Sequence, residues 1–285
     1  MIVSNITRDI KNEYIKTIRE VLVTPSTKKF TAKAKRFFAF LKSDLHLTRY
    51  SQMYNLLIND DIHSLIRVYG SIVTVDKNYD IYDDFRIEWA KKLVELTNTK
   101  VCPYCNRNFI VNFDTHNTTV ELDHYFPKNK YPYLAISLYN LIPSCHTCNH
   151  KKRSEKLKIY PYRESFNDYV SFSLNPTALP FIESNIELVI KKKKNTRKVR
   201  KKINNYERVL NISTLYENHK DIVFEMIKNT ELYPESRLKE LQDLTGIPYQ
   251  EIKKDIFKLI DDDADLSKEP FSKLRRDISQ ELNLI

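Results

Sequence analysis

Two Cys-x-x-Cys pairs, Cys102-Pro-Tyr-Cys105 and Cys145-His-Thr-Cys148, constrain what this chain can fold into more than any other feature. They use all four cysteines of the sequence and are separated by 39 residues. In a reducing compartment such paired spacing points to a metal rather than to disulfides. Four thiolates close a tetrahedral Zn²⁺ site and leave no open coordination position, so the expected zinc is structural. Two pairs of reduced, buried cysteines are the alternative. His146 and His150 are spare ligand candidates that a complete four-cysteine set does not need.

The reducing compartment is itself an inference. No apolar run approaches the ~20 residues that cross a bilayer, and charges break the start MIVSNITRDIKNEYIK too early for a secretory signal. The expectation is a cytoplasmic protein that does not enter a membrane. Its 285 residues include 18 Tyr and 14 Phe, and 41% are hydrophobic, enough for a packed core. Gly70 and Gly246 are the two glycines, so the glycine-rich loops that cradle phosphates in P-loop and Rossmann proteins are excluded. A formal charge of +10 favours a polyanionic partner, nucleic acid above all.

The patterning suggests an α+β, mostly helical chain in three parts. Residues 1–97 read as a helical region, because TAKAKRFFAFLKSDL and YDDFRIEWAKKLVEL place apolar residues three and four apart. Turn chemistry falls at Thr24 to Thr27 and at Asn59 to Asp61. Residues 98–160 change character. RNFIVNF and TTVELDH read as strands, NLIPSC as a third apolar run, and CNHKKRSEKLK as a helix beginning near Cys148. Residues 161–285 form a mainly helical C-terminal region. Two strands are expected in SFSLNP and NIELVIKKKK, then helices near 203–211, 214–230, 234–244 and 249–260. The acidic run IDDDADL reads as a solvated loop.

Between and just after the cysteine pairs stand Asp123-His124, Asn140 and Asn149. Taken singly, His124 is most simply a surface or core histidine, Asn140 a turn residue and Asn149 a helix cap. In their frame, ELDHYFPK followed by LYNLIPSCHTCNHKK resembles the HNH endonuclease motif in its four-cysteine, zinc-stabilised form, over about residues 100–156. The resemblance implies a ββα-metal module in which a hairpin and a helix grip one catalytic divalent ion, Mg²⁺ or Mn²⁺. By the same resemblance Asp123 and Asn149 hold that ion, His124 takes a proton from the attacking water, and Asn140 fixes the loop and the orientation of His124. The residue types suit this chemistry. A hard cation takes oxygen ligands and keeps waters, an imidazole titrates near neutral pH, and neighbours on a strand point to opposite sides. Asn149 stands where many members have a second His, which favours an oxygen-liganded metal.

Further basic residues are candidates for nucleic-acid contacts: Lys128, Lys152 and Arg153 near the motif, and Lys192, Lys194, Arg197 and Arg200 in KKKKNTRKVRKK. In that run, residues 191–202, nine of twelve positions are Lys or Arg. It reads as a backbone-tracking segment, with Phe181 and Tyr206 available for stacking, or else as a solvated connection. Within the family the chain looks like the compact HNH subunits of Septu-type antiphage systems, which work beside an ATPase. The expectation is thus a metal-dependent HNH endonuclease acting on DNA, an effector of antiphage defence with an ATPase partner. The alternative is a zinc-stabilised subunit that binds nucleic acid or a partner without cleaving.

Overall fold

The computed structural model describes residues 6–23, 26–27, 29–72, 80–114, 117–175 and 185–285, apart from the Tyr50 side chain. Five helices come first: α1 (Arg8–Leu22), α2 (Ala32–Leu45), α3 (Tyr50–Ile58), α4 (Ile62–Tyr69) and α5 (Tyr82–Thr97). Local chemistry fixes their starts. Thr7, Thr31 and Asp61 each accept a hydrogen bond from a backbone N–H of the first turn, supplying a partner the helix itself cannot offer. Packing fixes their faces. α5 buries Tyr82, Phe85, Trp89 and Leu93 in one stripe, with Trp89 edge-on to Tyr14 of α1 at 4.7 Å.

Helix α5 carries the first sheet. In it β1 (Val120–His124) runs antiparallel to β2 (Leu141–Cys145), with Asp123 opposite Ile142 and His124 opposite Leu141. Pro143 is tolerated in β2 because the sheet has two strands and needs no donor on that strand's outer edge. Tyr82 reaches from α5 to donate to Leu122 O at 2.9 Å. Helix α6 (His146–Lys152) follows β2 without a loop. A second antiparallel pair, β3 (Val170–Leu174) and β4 (Leu188–Lys192), precedes the C-terminal helices α7 (Arg197–Leu210), α8 (Ile212–Glu217), α9 (Lys220–Leu232), α10 (Glu235–Thr245), α11 (Tyr249–Phe257) and α12 (Ser272–Glu281).

Three local expectations are corrected. RNFIVNF makes only single bridges, Val101 to Phe109 and Asn112 to Thr118. Side chains take the ladder's place there: Thr119 Oγ1 accepts from Val111 N, and Asn112 Nδ2 donates to Lys91 O and Glu95 on α5. Helix α6 begins at His146 rather than near Cys148. Helix α7 begins at Arg197, so the basic run is divided between the end of β4 and the first turns of α7. No helix among the described residues is long and apolar enough to cross a membrane.

One hydrophobic cluster extends from Ile10 in α1 to Ile278 in α12 and includes all four cysteines, so the three parts read from the sequence share a core. A smaller cluster of Leu238, Ile252, Phe257 and Leu259 joins α10 to α11. Asn106, directly after the first cysteine pair, ties α12 to the centre. It is buried in the left-handed conformation at φ 50°, donates to Leu266 O at 2.8 Å and accepts from Lys273 N at 2.9 Å. Asn106→Ala removes those bonds and places a less tolerant residue at positive φ. A loss of about 2–4 kcal/mol in urea denaturation is expected.

Candidate active site and metal centre

The cysteine cluster is assembled from a turn, a strand end and a helix. Cys102 and Cys105 lie in the turn after α5, Cys145 ends β2, and Cys148 sits one turn into α6. All four are buried, and their sulfurs lie within 4.8 Å of one another. Zn–S bonds of about 2.3 Å require tetrahedral edges of about 3.8 Å. The Cys105–Cys145 separation is 3.9 Å, so the four cysteines are positioned to bind a metal ion and suit a structural zinc. Surrounding donors hold the frame. Asn108 Nδ2 lies 3.4 Å from Cys145 Sγ, Tyr206 donates to Tyr104 O at 2.6 Å, and Tyr216 donates to Cys105 O at 2.7 Å. His146 and His150 stay outside the cluster and stack on each other.

Beside this centre, α5, β1 and the start of the following loop enclose an open cleft of about 500 Å³. Asp123, His124 and Asn149 all line it, together with Glu121, Lys128 and Arg153. Strand pleating sorts them. Glu121 and Asp123 lie two residues apart, on the side of β1 that meets α6, and His124 points the other way.

His124 Nε2 lies 2.9 Å from Ala135 O. A carbonyl only accepts, so this nitrogen carries the hydrogen and Nδ1 of the neutral ring keeps its lone pair. The ring packs against Tyr82 at 4.5 Å. One edge still meets the cleft, but its surroundings are mostly protein, and this burial lowers the imidazole to about 3, with Lys128 and Lys152 acting in the same direction. The ring is therefore uncharged at neutral pH. Asn140, fully buried, donates to Phe126 O and Leu134 O at 3.0 Å and accepts from Phe126 N at 2.7 Å. It thus closes the loop whose next residue, Ala135, holds His124.

Asp123 is buried. Its carboxylate accepts from Tyr104 OH at 2.6 Å, and Lys152 Nζ lies 3.0 Å from it. Burial pushes this carboxyl above its usual value, while Lys152 and Tyr104 pull against the rise. Lys152 also donates to His124 O at 2.8 Å and is fully buried. The expectation that Lys152 contacts phosphate is corrected: its charge is consumed inside the protein.

Glu121, which the sequence did not single out, takes the more open position. Its two oxygens meet Asn149 Nδ2 and His146 Nδ1, each at 2.7 Å. The signal that could have found it is its place two residues before Asp123, on the same strand face. Asn149 thus holds Glu121, and does so from the middle of α6 rather than from its cap.

The other basic candidates lie apart. Lys128 and Arg153 line the cleft, whereas Lys192, Lys194, Arg197 and Arg200 are exposed along β4 and α7 and do not reach it. Tyr206 cannot stack a base, being buried against Phe166 at 4.5 Å. Phe181 lies outside the described residues.

Comparison with known proteins adds one local likeness. The chain is 38% identical over 69 residues to the Septu protein PtuB of Bacillus thuringiensis, a match covering 24% of this chain and 25% of that protein. The chain thus spans about a quarter of the length of the relative it matches. No family model matches the chain, and no solved structure matches it significantly.

Two measurements follow from this geometry. Metal analysis of protein prepared without added ions should give one zinc per chain; Cys145→Ser should lose it and melt about 10 °C or more lower. A normally folded protein with no metal would contradict the assignment. In an NMR pH titration, the His124 ring should stay neutral down to about pH 5, where an exposed histidine of pKa about 6.5 is charged. Since the folded value lies below the unfolded one, this residue makes stability rise with pH between about 3 and 6.5.

Proposed function

We propose that the chain is a metal-dependent endonuclease of the HNH kind, hydrolysing phosphodiester bonds in DNA and serving as an effector in antiphage defence. The observation that carries this reading is His124: an uncharged imidazole, pinned through Nε2 to Ala135 O, with its basic nitrogen left for a water in a cleft shared with two carboxylates and Asn149. The likeness to the Septu protein PtuB supports the defence role, and the ATPase partner is proposed from the resemblance of the motif to Septu-type HNH subunits.

Asp123 and the Asn149 amide oxygen are the proposed holders of the divalent ion, and Glu121 is a further oxygen donor beside them. Bound there, Mg²⁺ or Mn²⁺ would neutralise charge growing on the phosphate oxygens. The chain's own residues do the rest. His124 Nδ1 accepts a proton from water as the water oxygen bonds to phosphorus and the P–O bond to the leaving oxygen breaks. A base held near 3 is weak, but a phosphate anion in the cleft favours the protonated ring and raises its value in the complex. Lys128 and Arg153 on the cleft wall draw that phosphate in, and Asn140 keeps the loop and imidazole in register.

A second reading rests on a specific contact. Lys152 and Tyr104 saturate the Asp123 carboxylate from inside, as in a purely structural residue of a zinc-stabilised binding subunit. Plasmid cleavage in Mg²⁺ or Mn²⁺ separates the two. Wild-type protein, alone or with its partner subunit, is expected to cleave, and His124→Ala to lose on the order of 10²–10⁴ in rate. Asn140→Ala should lower the rate with little change in bound zinc. Cleavage that persists in His124→Ala removes His124 from its role; absence of cleavage with every metal and partner removes the nuclease reading and favours the binding one.

A further inference from the structure

A second cavity, of about 370 Å³, lies beyond the candidate active site. Its walls come from four separate parts of the chain: α4, the residue after β1, the segment after α6, and α7. Tyr125, the residue after His124, forms part of it, so one step along the backbone leads from the first cleft to the second. His63 of α4 completes the aromatic side, with its ring 6.1 Å from that of Tyr125 and 5.1 Å from that of Phe126.

The remaining wall is cationic. Lys156 and Lys158 face Lys198, Lys201 and Lys202 across the cavity, and no carboxylate lines it among the described residues. Lys202 is neutralised by its ion pair with Glu164. The other four lysines have no carboxylate partner among the described residues. Lys156, an exposed residue, carries its ammonium over the Phe126 ring at 4.2 Å, and the partial loss of solvent there lowers its pKa with no carboxylate to offset it.

The walls are also fixed to each other. Asn205 on α7 accepts from Lys158 N at 2.7 Å and donates to Lys156 O at 3.2 Å, while Tyr125 OH donates to Leu157 O at 2.7 Å. The lysine-bearing segment is therefore held against α7 and against the residue after His124 before any ligand arrives. Like charges brought together on a rigid frame repel, and an anion relieves that repulsion.

We propose that this cavity is a second phosphate site, which binds a backbone phosphate of the nucleic acid away from the one cleaved. The inference rests on the nucleic-acid reading above and extends it to residues outside the motif. The site reads no base. Lysine ammoniums act as point charges on phosphate, so the contact positions the strand and makes binding salt-dependent. The aromatic side offers a surface for the adjoining sugar or base.

The test uses the 285-residue chain, purified with its zinc, and a labelled 20-base-pair DNA, without Mg²⁺ or Mn²⁺, across a salt series. The pairs Lys156→Ala/Lys158→Ala and Lys198→Ala/Lys201→Ala alter exposed side chains, and their melting temperatures should match wild type. Each pair should weaken DNA binding by about 10-fold and reduce the slope of log affinity against log salt by about 1. Unchanged affinity and slope, with wild type binding DNA, would overturn the second site and leave the nuclease reading standing. Wild type that binds neither DNA nor RNA would overturn both. Inorganic phosphate that saturates the cavity at micromolar concentration, without competing against DNA, would make it a small-anion pocket and overturn the backbone assignment.

Discussion

The convergence of four sulfurs organises the rest of this protein. Cys145 ends β2 and Cys148 lies on α6, so whatever joins them to Cys102 and Cys105 also sets the angle between strand and helix. That angle brings Asn149 and Lys152 over β1. The cysteine cluster does not touch His124, yet it determines which side chains can. Tyr206 and Tyr216 spend their hydroxyls on the carbonyls of Tyr104 and Cys105, so α7 and α8 depend on the same turn. A metal bound there would link the sheet to the C-terminal helices as well as to α6, which is more than a local clasp does.

The parts of this architecture that sequence conveys are those set by local chemistry. The cysteine pairs announce themselves by spacing, and TTVELDH and NLIPSC yield β1 and β2 because their apolar content suits a buried pair. The failures have a common cause. RNFIVNF has strand composition, but Thr118, Thr119 and Asn112 divert its hydrogen bonds into side-chain contacts that only the folded turn creates. Lys152 reads as a surface lysine until α6 docks across Asp123, after which exposure is impossible. Tyr206 reads as a stacking platform beside a basic run, whereas the helical period turns it inward onto Phe166. Glu121 carries no signal except its register with Asp123, and register matters only once the strand is known.

The candidate site was legible as a set of residues and illegible as an arrangement. Asp123, His124 and Asn149 do line one cleft, and Asn140 lies behind it. Which carboxylate meets Asn149 could not be read from order along the chain, because both Glu121 and Asp123 face α6. The choice is made by depth. Asp123 lies where Lys152 and Tyr104 can reach it, and Glu121 lies nearer solvent, where His146 and Asn149 meet it.

That difference in depth has an electrostatic reason. A lysine ammonium stripped of water is costly unless a charge and further hydrogen bonds replace what it loses. Lys152 finds both, in the Asp123 carboxylate and the carbonyl of His124. In fastening to that carbonyl it also holds the end of β1, from which the imidazole projects. Ala135 holds the ring from the opposite side, and Asn140 holds the loop that carries Ala135. The imidazole is therefore restrained at its backbone and at Nε2 by groups that do not line up with Nδ1. Restraint of this kind leaves Nδ1 without a hydrogen bond among the described residues and the ring with little freedom left to lose, as a positioned base requires.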